Sequence, residues 1–530
     1  MRTIFVVGSI VTVSLLGVWS SFVPAVAWSY VLVLPIIARG FADLLQRKQA
    51  VRRNFPIIGN FRYLFELIRP EINQYFVESN TDGTPFNRDL RSLVYQRSKL
   101  EPDTVPFGTK LDVNAIGYEW VNHSLAPVHI DPASLRVTVG SSQCSKPYSA
   151  SIFNISAMSY GSLSKNAVLA LNGGAKIGHF YHDTGEGGLS PYHLEKGGDV
   201  VWEIGTGYFS ARTLDGKFDP ERFRENAALP QVKMTELKLS QGAKPGHGGI
   251  LPARKVTPEV AKIRGVPMGQ DVLSPPAHST FSTPIGLLEF LAKMRELSGG
   301  KPVGFKLCIG KRREFLAICK AMKETGIVPD FINVDGGEGG TGAAPLEFSN
   351  SVGSPLRESL IFVHNALTGF ALRKEIKVLC AGRIVTGFDV VSRIAIGADI
   401  CLSARAMMMA LGCIQALRCN TNECPTGVAT QNPSLVVGLD VTHKEVRVAN
   451  YHRETMKTAS ELIGAMGLTQ SADLRPWHLM RRTALAEIHH YGEVYEFIEE
   501  GSLLRKTVPA SFARPLEAAR ADSFSSGARI

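Results

Sequence analysis

From Ser151 onward, short runs rich in Val, Ile, Leu and Phe alternate with longer helix-like stretches, and the alternation occurs eight times. The runs are Ile152–Met158, Ile177–His182, Val200–Ile204, Val232–Leu239, Val303–Ile309, Phe331–Asp335, Lys377–Ala381 and Asp399–Ser403. Eight buried strands separated by amphipathic helices predict an α/β chain folded as a closed (β/α)8 TIM barrel rather than an open sheet. The Gly- and Pro-rich gap between the fourth and fifth runs is expected to cross the barrel mouth. In such barrels the loops after the strands build the site. Here those positions hold Ser159-Tyr-Gly161, Thr184-Gly-Glu-Gly-Gly188, Gln241-Gly-Ala-Lys244, Gly336-Gly-Glu-Gly-Gly-Thr-Gly342 and Gly382-Arg383.

The amino terminus obeys a different rule. From Thr3 to Ala38 there are 36 residues with no Asp, Glu, Lys, Arg or His. One membrane-spanning helix needs about 20 residues, so the run predicts two short transmembrane helices broken around Ser20 to Pro24. Arg39, Arg47, Lys48, Arg52 and Arg53 follow, and positive residues favour the cytoplasmic side. The expectation is a hairpin in the lipid of the inner (cytoplasmic) membrane, with the barrel on its cytoplasmic face. A secretory signal ending near Ala25-Val26-Ala27 is the alternative, although apolar character continues past that site. Phe61 to Ile68 is amphipathic, and suits either the membrane surface or a core helix.

Four segments follow: an anchor over 1–40, a juxtamembrane and lead-in segment over 41–150, the barrel over 151–431, and a helical extension with its tail over 432–530. The last residues, 519–530, are small and polar and expected to fray. The net charge of +10 is modest for 530 residues, and no basic stripe is interleaved with aromatics. Nucleic acid is therefore not an expected partner.

The sharpest local motif is Cys413-Ile-Gln-Ala-Leu-Arg-Cys419-Asn-Thr-Asn-Glu-Cys424-Pro425. Three cysteines this close converge only through tight turns, which Asn420 to Glu423 and Pro425 supply. Thiolates favour zinc or iron–sulfur clusters. Zinc wants a fourth ligand, and His443 and His452 lack the usual spacing. A three-iron cluster on Cys413, Cys419 and Cys424 fits better, with three buried structural cysteines as the bland alternative.

Barrels often bind a cofactor phosphate through the loops after strands seven and eight. Gly382 with Arg383, and Ser403 with Ala404 and Arg405, occupy those places. Gly337-Glu-Gly339-Gly-Thr-Gly342 matches a dinucleotide fingerprint, but Ala343-Ala-Pro345 is a poor helix start, so a substrate loop is expected there. Lys306, among apolar neighbours, is expected to face the barrel mouth. Of the loop histidines, only His247 is singled out.

Together these motifs resemble the FMN-binding synthase domain of the glutamate synthases. The resemblance runs over roughly Ser151 to Gln431 and rests on Ile155-Ser-Ala-Met-Ser-Tyr-Gly161, Gln241-Gly-Ala-Lys-Pro-Gly246, Leu273-Ser-Pro-Pro276, Gly339-Gly-Thr-Gly-Ala343, Leu411-Gly-Cys413 and Cys424-Pro-Thr-Gly-Val-Ala-Thr-Gln431. It implies FMN and a [3Fe-4S] cluster. Ala157, Met158 and Ser159 would line the flavin, Gln241 and Lys306 would serve its polar edge and the chemistry, and the late loops would hold its phosphate. Lys244, His247, Glu338 and Gly339 would serve the substrate. By the same resemblance, electrons pass from cluster to FMN, and hydride then attacks the imine formed from 2-oxoglutarate and ammonia.

Two departures shape this reading. No stretch resembling an amidotransferase or a nicotinamide-binding domain is visible, so ammonia and electrons are expected from outside, the electrons from reduced ferredoxin or a reductase subunit. Where the family has Pro-Gly-Glu-Gly-Gly, this chain has Pro245-Gly-His247-Gly-Gly249, which leaves the 2-oxo acid open. The membrane hairpin resembles a subgroup of stand-alone synthase-domain proteins. Two other functions remain in view: a flavin and iron–sulfur electron-transfer module at the membrane, and an FMN-dependent 2-hydroxy-acid oxidase. The latter needs no cluster, so the cysteines argue against it.

Overall fold

The computed structural model describes residues 1–525. Of the tail expected to fray over 519–530, residues 526–530 lie outside the described residues. The chain divides into two units, Met1–Asp89 and Leu90–Ile530.

The first unit holds helices α1 (Arg2–Phe22) and α2 (Tyr30–Leu45), joined by a 3-10 turn over Pro24–Ser29, then α3 (Ala50–Asn54) and α4 (Gly59–Ile72). The break falls where the sequence predicts it. Val23 is extended, with φ −131° and ψ 92°, because the ring of Pro24 disfavours helix in the residue before it. Arg2–Phe22 and Pro24–Leu45 are 21 and 22 residues long, and apolar enough to cross a membrane by length and composition. α4 is not a core helix, since Gly59 is its one buried residue.

In the second unit, eight parallel strands close a barrel among the described residues. They are β1 (Phe153–Ile155), β2 (Tyr181–Asp183), β3 (Asp199–Ile204), β4 (Val232–Lys238), β5 (Val303–Leu307), β6 (Phe331–Asp335), β7 (Lys377–Ala381) and β8 (Ile400–Ser403). The ring closes where Ser403 of β8 pairs with Ile155 of β1. All eight expected runs are present; Phe331–Asp335 and Lys377–Ala381 match at both ends, the first strand ends at Ile155 instead of Met158, and the largest displacement is at the start of the second. Ile177 ends helix α5 (Lys165–Gly178) instead of starting β2, because His179 takes a left-handed cap at φ 55° and turns the chain only then into the strand.

Side chains alternate along each strand, so every second residue points into the barrel. Near the amino-terminal ends of the strands the filling is apolar: Tyr181, Val201, Met234, Phe331, Leu379 and Ile400 pack as one cluster with Val139 and Ala150. The last two belong to an antiparallel hairpin, Arg136–Val139 with Tyr148–Ser151, that plugs this end. Burying each large apolar chain contributes about 1.5–3 kcal/mol.

The region after Gln431 is not wholly helical. Helix α7 (Val441–Ala465; α6 is Arg405–Leu411, after β8) packs over the barrel beside α5, as the amphipathic pattern predicts. Leu479–Ala484 and Glu487–His490, however, form a hairpin whose first strand pairs with Glu119–Val121. That partner lies more than 350 residues upstream, beyond the reach of local periodicity.

Candidate active site

Above the apolar layer the barrel interior turns ionic. Asp183, Glu203, Glu236 and Lys306 sit at successive inward positions on β2, β3, β4 and β5, and none is more than 4% exposed. The ammonium of Lys306 is paired with Glu203 and lies 3.7 Å from Glu236. The other Glu236 oxygen accepts from Asn333 Nδ2 at 2.9 Å. One carboxylate oxygen from each of Asp183, Glu203 and Glu236 lies within 4.8 Å of the other two. Burial and the neighbouring Glu203 push Asp183 up to about 7, against the pull of Lys306. Glu236 rises for the same reasons, burial and then Asp183. Burial alone would lower Lys306, but Glu203, Glu236, Asp183 and Asp335 outweigh it and hold the ammonium charged. Crowded like charges cannot all ionise, so this layer carries a proton near neutral pH.

A second group lies at the mouth, where β4 runs out. Lys238 pairs with Glu186 at 2.9 Å and donates to the Gln241 side-chain carbonyl. Burial would raise Glu186, yet Lys238, Lys244 and Arg264 hold it at about 2. Lys244 is buried, donates to the Ala343 carbonyl at 2.8 Å, and is lowered by that burial to about 8. Glycines make the approach possible. A Cβ on Gly242 would stand 2.0 Å from the Gly336 carbonyl, while the Gly242 N–H donates to Asp335 at 2.8 Å. A Cβ on Gly249 would meet the Glu186 carboxylate at 2.5 Å. At the start of the barrel, a Cβ on Gly185 would meet Ser159 N at 2.7 Å and the Met158 carbonyl carbon at 2.9 Å, so the loop after β2 lies on Ala157–Ser159.

The late loops bring Arg383, Arg405 and Glu338 together. Arg405 starts α6 and donates to the Glu338 carbonyl at 2.7 Å. Burial, and then the charge of Arg383, lower its guanidinium to about 10. Arg383 itself sits in the left-handed region at φ 52°, beside Gly382. Ser403 turns its hydroxyl onto the Ile384 carbonyl at 2.7 Å, and the Glu338 carboxylate accepts from Leu356 N–H at 3.0 Å. A Cβ on Gly339 would stand 3.0 Å from the Gly336 carbonyl and 3.2 Å from Asp335 Oδ1. His247 closes the turn after Lys244, its N–H donating to the Lys244 carbonyl at 3.2 Å, with Nδ1 2.8 Å from its neighbour's carbonyl, Gly248, and its ring edge-on to Phe348.

Cys413, Cys419 and Cys424 come together in one loop. Its turns place Gln415, Leu417 and Asn422 in the left-handed region. All three thiols are free. Burial pushes Cys413 up to about 12, with Cys419 and Cys424 adding to it. Burial acts the same way on Cys424, but Thr426 and the backbone at Ala429 and Val428 outweigh it and favour the thiolate. A tetrahedral zinc would hold its sulfurs about 3.8 Å apart, from Zn–S bonds of about 2.3 Å. Among the described residues, the three sulfurs do not all lie within 4.8 Å of one another as the carboxylate trio does. The loop is tied to the barrel mouth. Gln431 Nε2 donates to the carbonyls of Gly161 and Leu163 at 3.1 and 2.7 Å, and Lys255 bridges Ser162 and Ala429 at 2.9 and 2.8 Å.

Lys306, Gln241 and Lys244 are expected from the sequence, whereas Asp183, Glu186, Glu203, Glu236, Lys238 and Asp335 join the site only in the structure. A signal was present: Glu236 and Lys238 stand two apart in a strand, which puts both on one face.

A barrel whose strand ends and following loops gather buried ionic groups, with a cysteine loop bound to its rim, defines an enzyme-type (β/α)8 domain. A family profile described as a conserved region in glutamate synthase matches residues 121–469. The glutamate synthase large subunit-like protein YerD of Bacillus subtilis is 35% identical over 496 residues, covering 85% of this chain and 94% of that protein. The archaeal glutamate synthase [NADPH] of Methanocaldococcus jannaschii is 34% identical over 322 residues, 61% of this chain and 60% of that one. Among solved structures, a mandelate oxidase aligns with a TM-score of 0.40 at 15% identity, over 79% of this chain and 96% of that one. The chain belongs to the glutamate synthase family.

Proposed function

We propose that the chain is an FMN- and iron–sulfur-dependent oxidoreductase that reduces the imine of 2-oxoglutarate, or of a related 2-oxo acid, to the amino acid. The residues present fit a flavin mononucleotide. Arg383 and Arg405 are two cations close enough for one to disfavour the other's charge, the second at the start of a helix, which suits a phosphate. The backbone of Ala157, Met158 and Ser159 offers an edge for the ring, and Lys306 and Gln241 offer polar contacts. Cys413, Cys419 and Cys424 are three free thiols on one loop, the donor set of a multi-iron cluster, and His443 and His452 lack the spacing of a fourth zinc ligand. When bound, the flavin supplies hydride transfer and the cluster single-electron relay.

The chain's own residues do the rest. Lys244 would hold a substrate carboxylate through its ammonium, with His247, Glu338 and Gly339 as the further substrate residues. Asp183 and Glu236 hold the proton that the nitrogen takes up as the imine becomes an amine. Lys306 fixes those carboxylates and keeps a positive charge facing the mouth.

The observation that most supports this reading is the tether of Gln431 to Gly161 and Leu163, which sets the cysteine loop beside the first strand's loop. Ammonia enters as a small-molecule substrate that this chain does not generate, and electrons come from a separate donor, reduced ferredoxin or a reductase subunit. α1 and α2 anchor the chain in the inner membrane with the barrel on the cytoplasmic face. The test is a visible spectrum with EPR on anaerobically purified protein. Flavin bands with a three-iron signal support the proposal; a colourless zinc protein contradicts it.

A further inference from the structure

Resting on the anchored reading above, we propose that α4 lies flat in the membrane interface, its apolar face in the lipid and its flanking arginines on the headgroups of an anionic leaflet. The face is unusual for so short a segment. Phe61, Leu64, Phe65, Ile72 and Phe76 are between 41% and 84% exposed. At 100° per residue, Phe61, Leu64, Phe65, Ile68 and Ile72 fall within an arc of about 100°. Phe61 and Phe65 stack along it, with ring centroids 6.4 Å apart. Arg62, Glu66 and Arg69 fall beside the arc, on the flank that an in-plane helix turns to the headgroups.

The rest of the first unit packs against the other side. A Cβ on Gly59 would stand 2.9 Å from the Val51 carbonyl, and the Arg52 guanidinium sits 4.4 Å over the Tyr63 ring. This leaves the Phe61–Phe65 face without a protein partner in its own unit.

The depth of the helix is set by a polar junction. Asn60 donates to Asp43 at 2.5 Å and accepts from Arg39 at 2.9 Å. Asp43 also accepts the N–H of Ile57 at 3.1 Å. Ile57 is β-branched yet left-handed, at φ 65°, so this turn is held rather than loose. Arg39 and Asp43 lie in the last two turns of α2, where charge first reappears after the apolar run. The start of α4 is therefore fixed at the level where the second span leaves the hydrocarbon. Charge selects the surface. Between Gln46 and Val77 there are six Arg and Lys against two Glu, and clustered basic residues are drawn to an anionic surface.

The test uses the full chain in nanodiscs of mixed phosphatidylcholine and phosphatidylglycerol, with p-benzoylphenylalanine in place of Phe65 or, in a second protein, of Val11 in α1. Irradiation at position 65 is expected to give lipid adducts enriched about threefold in phosphatidylglycerol. The enrichment should fall to the bulk ratio when Arg52, Arg53, Arg62 and Arg69 are all changed to Gln. Lipid adducts at position 11 but none at 65, or a cross-link between two copies at 65, overturn the in-plane helix and leave the anchor standing. Absence of lipid adducts at both positions overturns both. Adducts at 65 without enrichment overturn the headgroup assignment.

Discussion

Lys306 and Glu203 form an ion pair on adjacent levels of the barrel interior, both no more than 5% exposed in their side chains. The pair spans from β5 to β3, across β4, whose Glu236 is the second partner of the same ammonium. Removing one partner of a buried pair leaves the other charge uncompensated, at a cost of about 3–5 kcal/mol. Lys306→Met is expected to lower stability by that order in urea unfolding and to abolish flavin reoxidation by substrate. Adding Glu203→Gln should restore much of the stability but not the turnover, because the cation at the mouth is still missing.

The paired arginines give a separable prediction. On the proposed reading, Arg405→Gln or Arg383→Gln removes one charge-assisted contact to the phosphate, worth about 1.5–3 kcal/mol. FMN affinity, measured by recovery of flavin fluorescence on dilution, is expected to weaken about tenfold or more in each. Riboflavin, which lacks the phosphate, should bind wild type and variants alike.

His452 predicts an acid sensitivity. Its ring is stacked on Phe180 at 3.9 Å, and its Nε2 is 2.9 Å from the Phe153 carbonyl. Burial lowers its pKa to about 3, against the pull of that carbonyl. The unfolded chain therefore binds a proton below about pH 6.5 that the native state refuses until about pH 3. Stability from this group is intact above pH 6.5 and declines as pH falls toward 3. Between pH 7 and pH 5 the loss is about 2 kcal/mol. His452→Gln should be less stable at pH 7 yet show a flatter fall in melting temperature over that window.

Asp330, at the amino-terminal end of the barrel, tests structure apart from chemistry. It accepts from Arg295 Nε at 3.1 Å, Val303 N–H at 2.7 Å, and both the N–H and hydroxyl of Ser141 at 2.7 Å. Asp330→Ala is expected to cost about 3–5 kcal/mol while leaving the flavin-to-protein ratio of the folded fraction unchanged, since the mouth is at the other end.

The barrel was legible because its eight strands are buried on both faces, which writes each as a continuous apolar run. The cysteine loop was legible because its three sulfurs lie within one short segment. The plug at Arg136–Val139 and the hairpin at Leu479–His490 were not, because partners far apart in sequence leave no local period. The ionic layer lay between these cases. Glu203 and Lys306 are each the single charge of an apolar run, Glu236 shares its run with Lys233 and Lys238, and only closure of the ring brings them face to face. Arg405 could be placed from barrel topology, whereas its closeness to Arg383 depends on a left-handed turn at a residue other than glycine.

Anaerobic single turnover tests the central claim most directly. Protein reduced in advance, freed of reductant, is mixed with 2-oxoglutarate plus ammonium, or with either alone, and flavin absorbance is followed. The account predicts rapid reoxidation with one glutamate formed per flavin only when both are present. Reoxidation that ignores both, proceeding only with an electron acceptor, would contradict it.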